Sequence, residues 1–224
     1  MAGPVSYSQD GDVAILTMDD GKANALAPAM SEGLNAGLDR AAREASAVVI
    51  TGRPGILCGG YDLKIIRGDD AAERTRMRGL GTALKLRLYL SPQPLVFACP
   101  GHAVAAGALL LLTGDFRVGA LGDFKYGLNE TGIGLPLPVS GLELARDRLA
   151  PAFLTAATMM AELYDPAGAV EAGYLDAAVA PADVLPAALA KAAQLAAIDP
   201  AAYAETKRRL RQPTVDRVKA AGGH

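Results

Sequence analysis

The chain is poor in cysteine: Cys58 and Cys99 are the only two in 224 residues. Two thiols neither build a disulfide framework nor supply a tetrahedral metal site, so a reducing compartment is expected and no metal is. A surplus of one charge sign is also missing. The formal net charge is -2, which excludes the broad basic surface of nucleic-acid binders. The opening MAGPVSYSQDGDVAILTMDD has no basic segment leading into an apolar one, so no export signal is read there and a cytoplasmic location is expected. No Gly-x-Gly-x-x-Gly or Gly-Lys-Ser/Thr sequence follows a strand-like run, which removes the dinucleotide and nucleoside-triphosphate readings. Heptads, tandem repeats and low-complexity tracts are missing as well.

A long hydrophobic run is nearly present. Residues 95–113 are almost free of charge, but Pro100, Gly101 and His102 interrupt them. The unbroken part, 103–112, is half of the roughly 20 residues a membrane span requires. No membrane association is expected, and a buried strand followed by a buried helix fits better. His102 has no Ser or Cys partner with an acid nearby, and His224 is terminal, so neither makes a triad.

What remains is an ordinary globular composition, 51% hydrophobic and 21% charged, in a chain long enough for one substantial core. The β-branched run VAILTM (13–18) and the runs AVVIT (47–51), LVFAC (95–99) and FRVGA (116–120) predict buried strands. Between the first two, Met30, Leu34, Leu38 and Ala41 recur at helical spacing and predict a helix over 28–45. Residues 69–90 predict a second helix, stopped by Ser91-Pro92-Gln93-Pro94. A third, buried on all sides, is predicted over 106–113. Strand, helix, strand is the mark of parallel pairing. After Ser140 helices take over, at 141–149, 152–163, 167–172, 186–197 and 201–211, with 219–224 expected to fray.

Three stretches could carry chemistry. In Cys58-Gly59-Gly60-Tyr61-Asp62-Leu63-Lys64 the two glycines allow a tight turn and close approach of a ligand, Asp62 is placed to cap a helix, and N–H groups near Tyr61 are left free. In Ala105-Ala106-Gly107-Ala108 a helix starts with small side chains that leave its free N–H groups reachable. In Asn129-Glu130-Thr131-Gly132-Ile133-Gly134 a lone carboxylate sits among apolar and glycine neighbours that would raise its pKa. Taken singly, these also fit an ordinary strand-to-helix turn, a packing site for small residues and a solvated loop glutamate.

Their order carries more than each alone. A Gly-Gly-Tyr-Asp-Leu-Lys turn, a Pro-Gly-His-Ala-x-Ala-Ala-Gly helix start ending in Gly-Asp-Phe-Arg, and an Asn-Glu-x-x-x-Gly loop together resemble the enoyl-CoA hydratase/isomerase (crotonase) superfamily, over residues 5–179. The resemblance implies an α/β fold of the ClpP/crotonase type, in which repeated ββα units form a spiral core (1–180), followed by a shortened helical trimerisation region (181–224). It implies an acyl-CoA thioester as substrate in fatty-acid metabolism, no separate cofactor, and a homotrimer or hexamer. It makes the backbone N–H groups of Tyr61 and Ala106 an oxyanion hole and Glu130 the catalytic residue, with Gly134 in the expected place after it. CoA-binding positions would be Lys22, Ala23, Ala25, Gly59, Gly60, Asp62 and Leu63, and residues 84–90 and 135–139 would wall the acyl pocket.

Hydratases of the family have a second glutamate, and here that position is Leu109. Hydration suits two carboxylates, whereas shifting a double bond from position 3 to position 2 needs only one base. A Δ3,Δ2-enoyl-CoA isomerase-like enzyme is therefore the expected function. A 2-enoyl-CoA hydratase and a non-catalytic acyl-CoA-binding protein of the same fold are the alternatives.

Overall fold

Short strands and helices alternate from the start of the computed structural model, which describes residues 3–222. Strands β1 (Val5–Asp10) and β2 (Val13–Met18) form an antiparallel hairpin turned at Gly11, whose φ is +54°. Helix α1 (Pro28–Glu44) returns the chain to β3 (Ala47–Thr51), parallel to β2. There follow β4 (Gly55–Cys58), α2 (Leu63–Arg67), α3 (Ala71–Tyr89), β5 (Leu95–Cys99), β6 (Gly101–Val104) and α4 (Ala106–Leu111). A third strand pair is β7 (Phe116–Ala120) with β8 (Tyr126–Gly127). Beyond α5 (Val139–Arg148), α6 (Leu154–Thr158) and α7 (Pro166–Ala172), β9 (Ala177–Val179) rejoins the sheet, and α8 (Val184–Ala196) and α9 (Pro200–Ala220) complete the chain.

Two sheets result. One has the order β1-β2-β3-β5-β7-β9 and the other β4-β6-β8. Every pairing except the first hairpin is parallel. Each winding of the chain gives one strand to each sheet, so β3/β4, β5/β6 and β7/β8 climb as a spiral. Strands β3 and β5 in the middle of the larger sheet are buried on both faces, which is why they read as apolar runs. Leu16, Val48, Ile50 and Phe97 face a core shared with α1, α3 and α4. Val13, Ala47, Val49, Val96, Ala98 and Val118 face the core covered by α8. Helix α8 thus packs on this chain's own sheet, while α9 packs against α5.

The four long-run strands and the helices over 28–45, 69–90 and 106–113 lie where the sequence put them, within a few residues. The short strands β1, β4, β6, β8 and β9 were not anticipated. The helix expected over 152–163 shrinks to α6 after a single 3-10 turn at Pro151–Phe153. Its second half must extend, because the Tyr164 backbone exchanges two hydrogen bonds with Tyr126, at 2.9 and 2.8 Å. The helix expected over 201–211 runs on to Ala220 despite Pro213. Pro213 costs one backbone hydrogen bond, which is offset where Val215 packs against Tyr89 and Leu144 and Arg217 reaches Glu143 at 2.5 Å. Of the stretch expected to fray, Lys219 and Ala220 are helical, and residues 223 and 224, His224 with them, lie outside the described residues.

Helix α9 is fastened by buried charge. Asp115 accepts from Lys207 Nζ at 2.7 Å and pairs with Arg211 at 2.9 Å, while also receiving the Leu95 N–H at 2.7 Å. Burial pushes the Lys207 ammonium down to about 8, against the pull of Asp115 in the other direction. Removing one partner of such a set strands the others without water. Asp115→Ala is expected to lower the unfolding free energy by about 3–5 kcal/mol. Urea denaturation measures this, and a loss under about 1 kcal/mol would contradict the assignment.

Candidate active site

The site begins with two turns that touch. At the end of β4, Gly60 adopts φ +104°, a region that glycine enters freely. A Cβ there would lie 3.1 Å from the Ala105 Cβ and 3.7 Å from the Ala106 nitrogen. At the end of β6, Ala105 turns into α4 with φ +51° and ψ -127°, a strained geometry for an alanine that costs about 1–3 kcal/mol. It is held there by its N–H donating to the Gly127 carbonyl at 2.9 Å. Neither the Tyr61 N–H nor the Ala106 N–H has an acceptor among the described residues. For Ala106 the reason is general, since the first N–H groups of a helix have no partner within it.

The first turn is braced from the loop before α1. Asp20 accepts from the N–H groups of Lys22 (2.7 Å), Asn24 (2.9 Å) and Ala25 (3.0 Å). Partial burial pushes the Asp20 carboxyl up, but these backbone donors outweigh it and hold it below its ordinary value. The fully buried Asn24 donates to the carbonyls of Met18 and Leu57. The loop so fixed bonds to both glycines of the turn: the Gly59 N–H donates to Ala23 and the Leu26 N–H to Gly60, each at 2.8 Å. Asp62, as its position suggested, caps α2 by accepting from the Lys64 N–H at 2.8 Å.

Glu130 enters from the other side. It precedes a 3-10 turn, Thr131–Ile133, that Gly134 ends at φ +79°, and its carbonyl accepts from the N–H groups of Ile133 and Leu135. The Thr131 hydroxyl ties this loop to the carbonyl of Met159 at 3.2 Å. Oε2 of Glu130 is buried and has no hydrogen-bond partner among the described residues. Burial pushes this carboxyl above the usual carboxylate range, while its own backbone N–H and the charge of Lys85 pull the other way.

A cleft of about 380 Å³ joins these parts. Gly59, Tyr61, Leu63, Ala106 and Glu130 line it, as does Leu109, whose side chain is 1% exposed. Lys22, Ala23, Ala25, Gly60 and Asp62 do not line it; they stand behind or beside the turn whose backbone they shape. The wall expected from 135–139 is supplied by Leu135, Pro136 and Pro138. The wall expected from 84–90 is not: Leu84 and Leu88 point into the core, and the same helix faces the cleft earlier, with Arg78 and Thr82. Those two residues are spaced four apart on α3, a spacing that placed them on one face but said nothing about which. Asn129, from the same stretch as Glu130, also lines the cleft, as does Arg67, which was not singled out by sequence. Among the described residues no cluster of His, Cys, Asp and Glu could hold a metal ion, and no helix is long and apolar enough to cross a membrane.

A spiral of strand-strand-helix units, with two free peptide N–H groups and one buried carboxylate on a common cleft, places the protein in the class of crotonase folds. Residues 8–222 match the enoyl-CoA hydratase/isomerase family, and the chain belongs to it. It is similar to human mitochondrial enoyl-CoA delta isomerase 1, with 32% identity over 174 residues that make up 76% of this chain and 57% of the human one. The chain therefore spans little more than half the length of that curated relative, and 46% of a probable enoyl-CoA hydratase from Rhodobacter capsulatus. Solved structures match more fully. An enoyl-CoA hydratase/isomerase family protein from Pseudomonas syringae has a TM-score of 0.94 at 44% identity, covering 97% of this chain and 94% of that one. An enoyl-CoA isomerase of Mycobacterium tuberculosis has a TM-score of 0.94 at 38% identity, covering 99% and 96%.

The raised pKa of Glu130 has a sign that can be checked. A carboxyl whose folded pKa lies above its unfolded value favours folding at low pH and loses that contribution as pH rises through the folded pKa. Glu130→Gln, which cannot ionise, is expected to gain stability relative to wild type as pH rises above the ordinary value of 4.5. Thermal unfolding at pH 4 and pH 7 measures it. An equal difference in Tm at both pH values would contradict the burial of this charge.

Proposed function

We propose that the protein is an acyl-CoA-processing enzyme that moves a double bond along the acyl chain, converting a 3-enoyl-CoA to a 2-enoyl-CoA with Glu130 as the one base. The thioester carbonyl oxygen accepts hydrogen bonds from the N–H groups of Tyr61 and Ala106. Glu130 takes a proton from C2, and the electrons of that C–H bond pass into an enolate whose negative charge rests on the carbonyl oxygen. The enolate then collapses: the carbonyl reforms, the double bond settles between C2 and C3, and C4 takes the proton back from Glu130. Atoms and charge balance without a cofactor or a water. A backbone donor aimed at a developing oxyanion is worth about 3 kcal/mol in the transition state, and a base with a raised pKa gives the proton back as readily as it takes it.

The observation that carries this reading is the acid inventory of the cleft. Glu130 is the only acidic side chain among its lining residues, and Leu109 fills the place where a second carboxylate would hold a water. On the same reading the exposed Lys22 and Ala23, with Ala25 behind them, face the CoA moiety beside Gly59 and Gly60. The chain would assemble as a trimer or hexamer, to which the exposed Met159 and Met160 offer apolar surface.

Incubation with 3-enoyl-CoA and 2-enoyl-CoA tests the reading directly. Conversion of the first without hydration of the second is expected, and rapid hydration of the second would overturn it. Glu130→Gln is expected to lower kcat by about 10²- to 10⁴-fold with little change in the affinity for a saturated acyl-CoA, measured by calorimetry. An unchanged kcat would remove Glu130 from the mechanism.

A further inference from the structure

Lys85 stands out among the buried charged groups because it has no counter-ion among the described residues. It lies on α3, is 1% exposed, and makes a single hydrogen bond among the described residues, from Nζ to the Tyr61 hydroxyl at 2.9 Å. Buried lysines of this kind are uncommon, and an ammonium with two unused donors is costly to keep out of water. The other buried lysine, Lys207, has Asp115. Nζ also lies 5.0 Å from the centre of the Tyr61 ring, within cation–π range. That ring rests on α3 at Gly81, where a Cβ would come within 2.5 Å of the Tyr61 hydroxyl. The tyrosine is thus seated by a bare glycine, gripped by a buried cation, and carries on its own backbone one of the two free N–H groups of the cleft.

We infer that Lys85 is a positioning residue of this site: by holding the Tyr61 hydroxyl it fixes the Tyr61 peptide and the free N–H which that peptide brings to the cleft. The inference rests on the roles assigned above to Glu130 and the Tyr61 N–H. Lys85 is the cation that acts on Glu130, and it acts on Cys58 as well. The other charged or titratable groups facing this space are Tyr174, beside Glu130, and Arg67 and Arg78 on the exposed walls of the cleft. The buried Cys58 thiol is pushed up to about 11 by burial and carries no charge at neutral pH. The Lys85 charge also offsets part of the upward push that burial gives the Glu130 carboxyl. An anchored donor also costs nothing to reorient when the oxyanion forms.

The test pairs Lys85→Met with Tyr61→Phe and uses readouts that a purely structural lysine would not move. In Lys85→Met, the Glu130 carboxyl, followed by its ¹³C signal, is expected to titrate at higher pH than in wild type, and the acid limb of kcat/KM should move up with it. The kcat is expected to fall about 10- to 100-fold with KM changed far less. Tyr61→Phe keeps the charge and cuts the tether. It should lower kcat and speed hydrogen exchange of the Tyr61 amide without raising the Glu130 titration. A folded Lys85→Met with wild-type kcat and wild-type hydrogen exchange of the Tyr61 amide overturns the inference. If that variant does not fold, Tyr61→Phe cuts the same tether and is read by the same kcat and amide exchange. Should wild type convert no 3-enoyl-CoA, the proposed reaction falls, while the amide exchange still decides the role of Lys85.

Discussion

The structure depends on the close approach of two backbones at the start of α4. A Cβ on Gly107 would lie 2.1 Å from the Cys58 carbonyl oxygen, and one on Gly101 would lie 1.9 Å from that of Gly55. Nothing larger than hydrogen fits at either place, so β4, β6 and the first turn of α4 are packed main chain against main chain. This contact brings the Gly60 turn against Ala105, and with it two free N–H groups, one from each turn, to the same wall of the cleft. The strain at Ala105 is part of the same arrangement. A relaxed strand-to-helix turn would aim the Ala106 N–H elsewhere, and the bond from Ala105 to Gly127 offsets the cost of the tight one.

The parts of this that a sequence displays are those set by burial alone. Strands β2, β3 and β5 lie between two cores, so all their residues but Thr17 and Thr51 are apolar and the runs are unmistakable. The inner strands β4, β6 and β8 are two to four residues long and rich in glycine, because they trade side chains for backbone contact; no periodicity survives in so short a piece. Glu130 and the two turns stood out through their order along the chain, and the cleft brings all three together. Lys85 did not stand out. A lysine in a helix with Arg74, Arg76, Arg78 and Arg87 reads as one more solvated charge, and only the bare face at Gly81 lets Tyr61 reach in and cover it. The same holds for Lys207 and Arg211, which look like the outer face of α9 until Asp115 is found beneath them.

Charge is used in opposite ways at the two ends of the fold. Under α9 the buried cations meet Asp115 at hydrogen-bond distance, and the result is a fastening whose members stabilise one another. At the cleft Lys85, behind Tyr61, and Glu130 form no ion pair with each other among the described residues, and each keeps unused hydrogen-bonding capacity. A closed pair would pull the carboxyl far down and make it a poor proton acceptor. Separation leaves the carboxylate accessible to a substrate while the cation moderates its burial. This is the difference between an ion pair that holds structure and a charge arrangement that can do work.

Leu109 follows from the same balance. A carboxylate in its place would share the cleft with Glu130, and two like charges in one low-dielectric space cannot both ionise easily. One would stay protonated unless a further cation or a well-held water compensated it, and Lys85 already faces Tyr61. With leucine there, packed under Gly141 at 3.1 Å from where a Cβ would sit, that part of the cleft wall is apolar and offers no group to hold or deprotonate a water. On the proposed reading, a proton taken by Glu130 stays on that carboxyl until a carbon of the same substrate takes it back.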